Sequence, residues 1–273
     1  MTNIKTFSKD ELIDMFVEIE KRGWIEDEKR ITNDGAAGNL LEDLLGIPEN
    51  NLPIPNAAEW ELKTQKDNTS SLLTLFHLEP SPKAVKIVSN LLLPQYGWRH
   101  KSAGTKYADD EKSFRTTLSS DNWTRGFSVL VNREARRVEI VFDPNNVKEQ
   151  DQKWLDSVRD RVPNISKLEV TPYWGFDDLF AKTRTKLFNC FFVLVERKKE
   201  NERIYYHYYK VSKLSALSQD RFIKAIEKGF LYIDIDARTG HNHGTKFRIR
   251  PMMLPVLYED VEVVLDKPKL ASL

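Results

Sequence analysis

The chain has 273 residues, 40% hydrophobic and 30% charged, with a formal net charge of +1 at pH 7. That size holds one large domain or two small ones around a buried core, and that composition excludes an intrinsically disordered chain. No apolar run approaches the ~20 residues that cross a bilayer, the opening MTNIKTFSKDELIDMF has no signal-peptide core, and the lone Cys190 cannot form an internal disulfide, so a reducing cytoplasm with no membrane partner is expected.

In chain order, SKDELIDMFVEIEKRG (8–23) reads as a helix: Ser8 is its N-cap, Glu11 sits at the capping-box position, Leu12, Phe16 and Ile19 share a face, and Gly23 ends it. DGAAGNLLEDLLGI (34–47) gives a second helix, with Leu40, Leu41, Leu44 and Leu45 inward and Gly46 as the stop. EWELKT and SLLTLFHL read as strands on either side of the polar turn QKDNTS. Residues 83–93 are expected to be helical, and 99–125 polar and irregular. GFSVLVNREARRVEIVFD (126–143) is a hairpin of two β-branched runs around a charged turn. A helix over 176–187 leads into the apolar strand FFVLVER, followed by the strand IYYHYYKV and a capped helix over 218–230. The chain closes on LYIDIDAR, GTKFRIR and VEVVL. Strands interleaved with helices, some in hairpins, predict a mixed α/β fold.

Near-zero net charge announces no polyanion partner, though basic residues gathered on one wall would still serve one. The basic runs at 132–137, 196–203 and 246–250 each read first as a solvated turn or strand face. Cys190, within LFNCFFVLV, reads as a small buried hydrophobe rather than a nucleophile.

PNAAEWELKTQK (55–66) carries the chemistry. On a strand Glu59, Glu61 and Lys63 project together, while Trp60 and Leu62 face the core. Carboxylates at such a site hold Mg²⁺, an oxygen-seeking ion, and a nearby lysine orients the attacking water and stabilises charge in phosphodiester hydrolysis. A bare Glu-x-Lys is also compatible with an incidental ion pair on a solvated edge strand. Asn56, five residues before Glu61, offers a carbonyl oxygen without charge. Two unit charges 4 Å apart interact by ~4 kcal/mol at an effective dielectric of ~20, so an amide there weakens the hold on a cation.

From GAAGNLLEDLLGI through NNLPIPNAAEWELKT, SSLLTLFHLEPSP, YWGFDDL, YYHYYKVS and IEKGFLYIDI to HNHGTKFRI, the chain resembles the MvaI/BcnI family of type II restriction endonucleases. That family is related in fold to the mismatch-repair nicking enzyme MutH. The resemblance implies a PD-(D/E)xK core of MutH type with a smaller DNA-recognition lobe, closing as a clamp. The catalytic lobe is expected over 1–98 and about 126–195, and the recognition region over about 196–273. It further implies a monomer that uses Mg²⁺ to cut double-stranded DNA at a short CC-N-GG-like site, one strand after the other, beside a cognate DNA methyltransferase. Other readings are a sequence-specific DNA-binding protein that never cuts and a MutH-like nicking repair enzyme.

Mapped onto this chain, Glu61 is the metal-binding carboxylate and Lys63 the catalytic lysine. Glu42, in the Gly-x-x-Gly-x-x-x-Glu stretch, matches a helix glutamate beside the metal, with the helix's core face as the competing explanation. Asn56 matches the family's catalytic, metal-binding aspartate. Three readings of it compete: a deliberate Asp→Asn exchange, which is favoured because its surroundings are intact, a naturally inactive or slow nuclease, and replacement of the lost charge by Glu59. For reading DNA, Arg248 or Arg238 suits guanine and Asp234 or Asp236 a cytosine amino group. The resemblance ranks Arg248 first, then His243, His241 and Asp234, with Thr245 in the same turn, and places the family's second recognition arginine near Asp236, with Arg238 as a replacement. His241 and His243 have metal-pair spacing but lack the third and fourth ligands of a zinc site. His77 is a candidate probe of the central base pair, and Lys66 and Ser71 are candidate phosphate contacts.

Overall fold

The computed structural model describes residues 7–29, 35–47, 59–66 and 69–270. Ser8 caps α1 (Lys9–Lys21): its hydroxyl accepts from the Glu11 N–H while the Glu11 carboxylate accepts from the Ser8 N–H, closing the expected box. After the two-residue β1 (Ile25–Glu26), α2 (Ala36–Leu45) buries Leu40, Leu41 and Leu45 and stops at Gly46, whose φ of 69° only glycine adopts freely. β2 (Trp60–Lys66) and β3 (Leu73–His77) follow. The helix expected over 83–93 is broken into a 3-10 turn, a π-helical turn at Val88–Leu92 and the short α3 (Leu93–Tyr96), with Lys86 at φ 50° interrupting the ladder.

Residues 99–125, expected irregular, instead contain the second residue of β4 (Trp98–Arg99) and all of β5 (Lys112–Leu118). In KSFRTTL the inward positions are Phe114, Thr116 and Leu118, and a buried threonine hides the alternation from a hydrophobicity reading. β6 (Phe127–Asn132) and β7 (Arg137–Phe142) form the expected hairpin, in register from Phe127 opposite Phe142 to Asn132 opposite Arg137. Then come α4 (Gln152–Arg159), which the sequence reading missed, β8 (Tyr173–Gly175), α5 (Phe176–Leu187), β9 (Asn189–Glu200) and β10 (Arg203–Leu217). α6 (Gln219–Glu227), β11 (Leu231–Arg238), β12 (His241–Ile249) and β13 (Tyr258–Asp266) complete the chain.

The chain weaves twice between two compact units. One comprises Met1–Ser71, Thr183–Ser218 and Leu254–Leu273, the other Leu72–Lys182 and Gln219–Met253. These units depart from the boundaries expected from sequence: residues 72–98 and 126–182, expected with the Glu61 strand, belong to the second unit. The reason is strand pairing. β3 pairs antiparallel with β12, not with β2, and this draws the middle of the chain toward the 231–249 hairpin.

In the first unit the strand order is β1-β10-β9-β2, with β13 also paired to β10. β9 and β10 turn on Asn201 and Glu202, both left-handed at φ 48° and 63°, so the basic run at 196–203 is a hairpin tip. β2 runs parallel to β9, setting Glu61 beside Cys190 and Lys63 beside Phe192. Trp60 and Leu62 face a core shared with Phe191, Val193, α1 and α2, as expected; the Trp60 and Phe191 rings stand 4.6 Å apart.

The second unit is built on the sheet β3-β12-β11-β5-β4 and the smaller sheet β6-β7-β8. Aromatic rings fill its interior: Phe127 lies 5.3 Å from Phe114 and 4.8 Å from Phe142, and Phe76 stacks on Phe247 at 4.9 Å. Gly126 starts β6 at φ +75°, where an added Cβ would stand 2.8 Å from the Asp143 carbonyl oxygen and 2.9 Å from Val147 Cγ2. Strain and overpacking together predict that Gly126→Ala costs roughly 3 kcal/mol, seen as a lower urea midpoint at unchanged m. A loss below about 0.5 kcal/mol, within the range of ordinary surface changes, would contradict this close approach.

Candidate active site and nucleic-acid face

β2 is apolar at Trp60 and Leu62 because those side chains meet the core, and this alternation turns Glu61 and Lys63 to the other face. Glu61 is only 1% exposed, yet charged groups surround it: Lys63 Nζ donates to its Oε1 at 2.6 Å, and Lys186 Nζ stands 3.9 Å from the same oxygen. Lys186 was not anticipated; it arrives on the last turn of α5, and no local pattern ties it to β2. Behind the pair, the Tyr258 hydroxyl donates to the Leu187 carbonyl at 2.8 Å and so pins the end of that helix. Burial pushes the Tyr258 hydroxyl and the Cys190 thiol well above their ordinary ranges, and the nearby Glu61 charge adds to both. Cys190 is therefore a protonated, fully buried thiol, as its apolar setting suggested.

Glu61 Oε2 is buried with no hydrogen-bond partner among the described residues. An anionic oxygen left open in this way is the kind of donor that a hard, oxygen-seeking cation takes. Among the described residues no three His, Cys, Asp or Glu side chains gather as a metal-binding group. Asn56 lies outside the described residues. Glu59 sits exposed in the turn before β2, so it does not project with Glu61 and Lys63 as an intact strand would require. Glu42 is half-buried on α2, whose Gly38 packs beside Thr64.

In the second unit, alternation turns a row of polar side chains to one face of the larger sheet. On β11 these are Tyr232, Asp234, Asp236 and Arg238, on β12 Lys246 and Arg248, and on β5 Arg115 and Thr117. Arg248 Nη1 stands 3.2 Å from Asp234 Oδ2, and Nη2 donates to the Leu72 carbonyl at 2.8 Å. Asp234 also accepts from the Thr117 hydroxyl at 3.0 Å. Asp236 lies directly opposite Arg115, 3.8 Å from its Nε. Arg238 is committed elsewhere: it pairs with Glu111 at 3.1 Å and lies over the Tyr107 ring at 4.7 Å. A cleft of ≈ 240 Å³ on this face is lined by Lys101, Lys106, Arg115, Asp236, Arg238 and His243 among others, a lining too charged for an apolar ligand.

The exposed His241 and His243 rings meet at 4.2 Å near the β11–β12 turn, and His77 lies opposite Lys246. Thr245 departs from expectation: it is fully buried, so its side chain does not reach the surface, and its N–H donates to Glu79 at 2.7 Å. Its parity with Phe247 and Ile249, both core residues, was the available signal. Lys66 ends β2 half-buried, and Ser71 is exposed. The tyrosine run is structural: Tyr206, Tyr208 and Tyr209 are buried, and the Tyr208 hydroxyl donates to the Ala37 carbonyl at 2.7 Å.

The whole architecture is similar to solved structures. It matches the structure of restriction endonuclease MvaI in complex with its cognate DNA substrate at a TM-score of 0.71 and 25% identity, over 95% of this chain and 100% of that one. It also matches MvaI in the absence of DNA, at a TM-score of 0.54 and 23% identity over 96% and 100% of the two chains, a likeness of fold. No curated protein sequence matches the chain. The model of the MvaI/BcnI restriction endonuclease family aligns with residues 13–258, close to the full length, and the chain belongs to that family.

Proposed function

We propose that this protein is a Mg²⁺-dependent, sequence-specific endonuclease of double-stranded DNA, of the type II restriction class, with a catalytic centre weakened by Asn56. The observation that carries this reading is the buried Glu61, bonded to Lys63 through one oxygen and left open at the other. The DNA-bound state of the similar MvaI structure supports double-stranded DNA as substrate. Glu61, with the carbonyl oxygen of Asn56, would hold the ion, whose bound form supplies phosphate neutralisation and an activated water.

The chain's own groups account for the remaining chemistry. Lys63 is fixed by Glu61 and presents an ammonium to orient the attacking water and offset charge on the phosphate. Arg248, His243 and His241 read base edges with Asp234, and His77 probes the centre of the site. Lys66 and Ser71 touch phosphates and set register without specifying sequence. The unit bearing Glu61 is the catalytic one and the unit bearing Arg248 the recognition one. The protein acts as a monomer on a CC-N-GG-like site, nicking the strands in turn, and a cognate methyltransferase protects the host's copies.

Plasmid cleavage with Mg²⁺ tests the reading by comparing the protein with its Asn56→Asp form. The Asp form is expected to give discrete fragments at least about a hundredfold faster, the scale of one restored electrostatic group. Equal cutting by both forms would overturn the role given to Asn56. No cutting by either, with site-specific binding retained, would make the protein a DNA reader; the amide at position 56 is the one feature that favours this second reading.

A further inference from the structure

We propose that Arg115 is a base-reading arginine, and that Arg115 and Asp236 together read one G·C pair within two steps of the pair read by Arg248 and Asp234. The inference rests on the reading above, that this face of the β3-β12-β11-β5-β4 sheet meets DNA. Asp234 and Asp236 are successive outward residues of β11, and each has an arginine from a different neighbouring strand beside it. For Asp234 it is Arg248 of β12, at 3.2 Å; for Asp236 it is Arg115 of β5, directly opposite in register and 3.8 Å away. A guanidinium thus stands beside each carboxylate, reaching Asp234 diagonally from Arg248 in the Tyr232 row and Asp236 from Arg115 directly across the sheet.

The chemistry of each row complements one base pair. In the major groove a G·C pair shows two acceptors, N7 and O6, beside the cytosine N4 donor, which suits a guanidinium next to a carboxylate. An A·T pair puts a donor where the second acceptor should be and clashes with the fork. Asp234 and Asp236 lie about 6.7 Å apart along the strand, close to two base-pair rises of about 3.4 Å, so the two pairs read are at most two steps apart.

Arg115 is also the arginine free to do this. Its side chain is 69% exposed and no hydrogen bond to a described residue holds it, whereas Arg238 is held by Glu111 and the Tyr107 ring. An exposed ion pair at 3.8 Å adds little to folding, so removing it leaves the fold in place.

The test is selection of binding sites from random duplex DNA by the unaltered protein, followed by affinities for every single base-pair replacement of the selected site. Arg115→Ala is expected to lose roughly 10- to 100-fold discrimination at one G·C pair and keep it elsewhere, the affected pair differing from the one lost in Arg248→Ala. Asp236→Asn should weaken discrimination at that same pair. Uniform weakening at all positions, with the salt slope reduced by about 1, would make Arg115 a phosphate contact and overturn the proposal. Unchanged discrimination would overturn it too while leaving the DNA-reading face intact. Failure of the unaltered protein to select any sequence would remove both this proposal and the reading beneath it.

Discussion

Glu61→Gln, made in the Asn56→Asp form, is expected to slow plasmid cleavage at least about a thousandfold while leaving sequence-specific binding within a fewfold, the scale set by losing one preorganised charged group. Glutamine keeps the shape of the side chain and removes the charge. Its amide oxygen can still accept from Lys63, but the second position becomes an N–H₂ donor where the structure has the open Oε2. With Lys63 and Lys186 both facing the other oxygen, Oε1, the substitution leaves two ammonium groups beside a neutral side chain. A cation would then be repelled at the position where the proposed site would hold it. Lys63→Ala should cost a similar factor, and the double change little more than either alone, because the two groups act as a unit. A thermal melt accompanies the assay, since breaking a pair this buried also costs stability. Cleavage by the folded Gln form within tenfold of its parent would sink the assignment.

The parts of the fold that local chemistry writes were legible in the sequence. α1 could be read down to its cap because Ser8 and Glu11 bond to each other, and α2 down to its stop because Gly46 takes a left-handed conformation. The 126–143 hairpin was legible for the same reason: its partners are neighbours in the chain. β5 was not, because a threonine stands at an inward position and polar residues surround it. Nor was the parallel pairing of β2 with β9, since a strand's partner across a long crossover leaves no trace in its own window.

The candidate site divides in the same way. Glu61 and Lys63 share a short strand and were found together. Lys186 and Arg115 reach their carboxylates only through tertiary structure, from α5 and from a strand that hydrophobicity conceals. Thr245 shows the opposite failure: a resemblance suggested a surface role at a position whose alternation with Phe247 and Ile249 already pointed inward.

Arg248→Ala is expected to remove site-specific binding, lowering affinity for the preferred duplex about a hundredfold while leaving binding to unrelated DNA nearly unchanged. The arginine is held in place by its neighbours. The Leu72 carbonyl takes one Nη2 proton and Asp234 lies beside Nη1, so the guanidinium plane is fixed before DNA arrives and little side-chain entropy is lost on contact. Its Nε is buried without a partner among the described residues, a cost that the fold accepts to keep the group in this orientation. Removal acts twice: the fork proposed to meet guanine disappears, and Asp234, itself only 14% exposed, loses its guanidinium neighbour and keeps the Thr117 hydroxyl as donor. Arg248→Lys should recover little, because a single ammonium cannot span two acceptors on one base edge. Lys66→Ala provides the contrast, with a modest and sequence-independent loss that shrinks as salt rises. If Arg248→Ala kept the base preferences of the unaltered protein and weakened binding everywhere alike, Arg248 would be a phosphate clamp, and the outward row of β11 would not be where sequence is read.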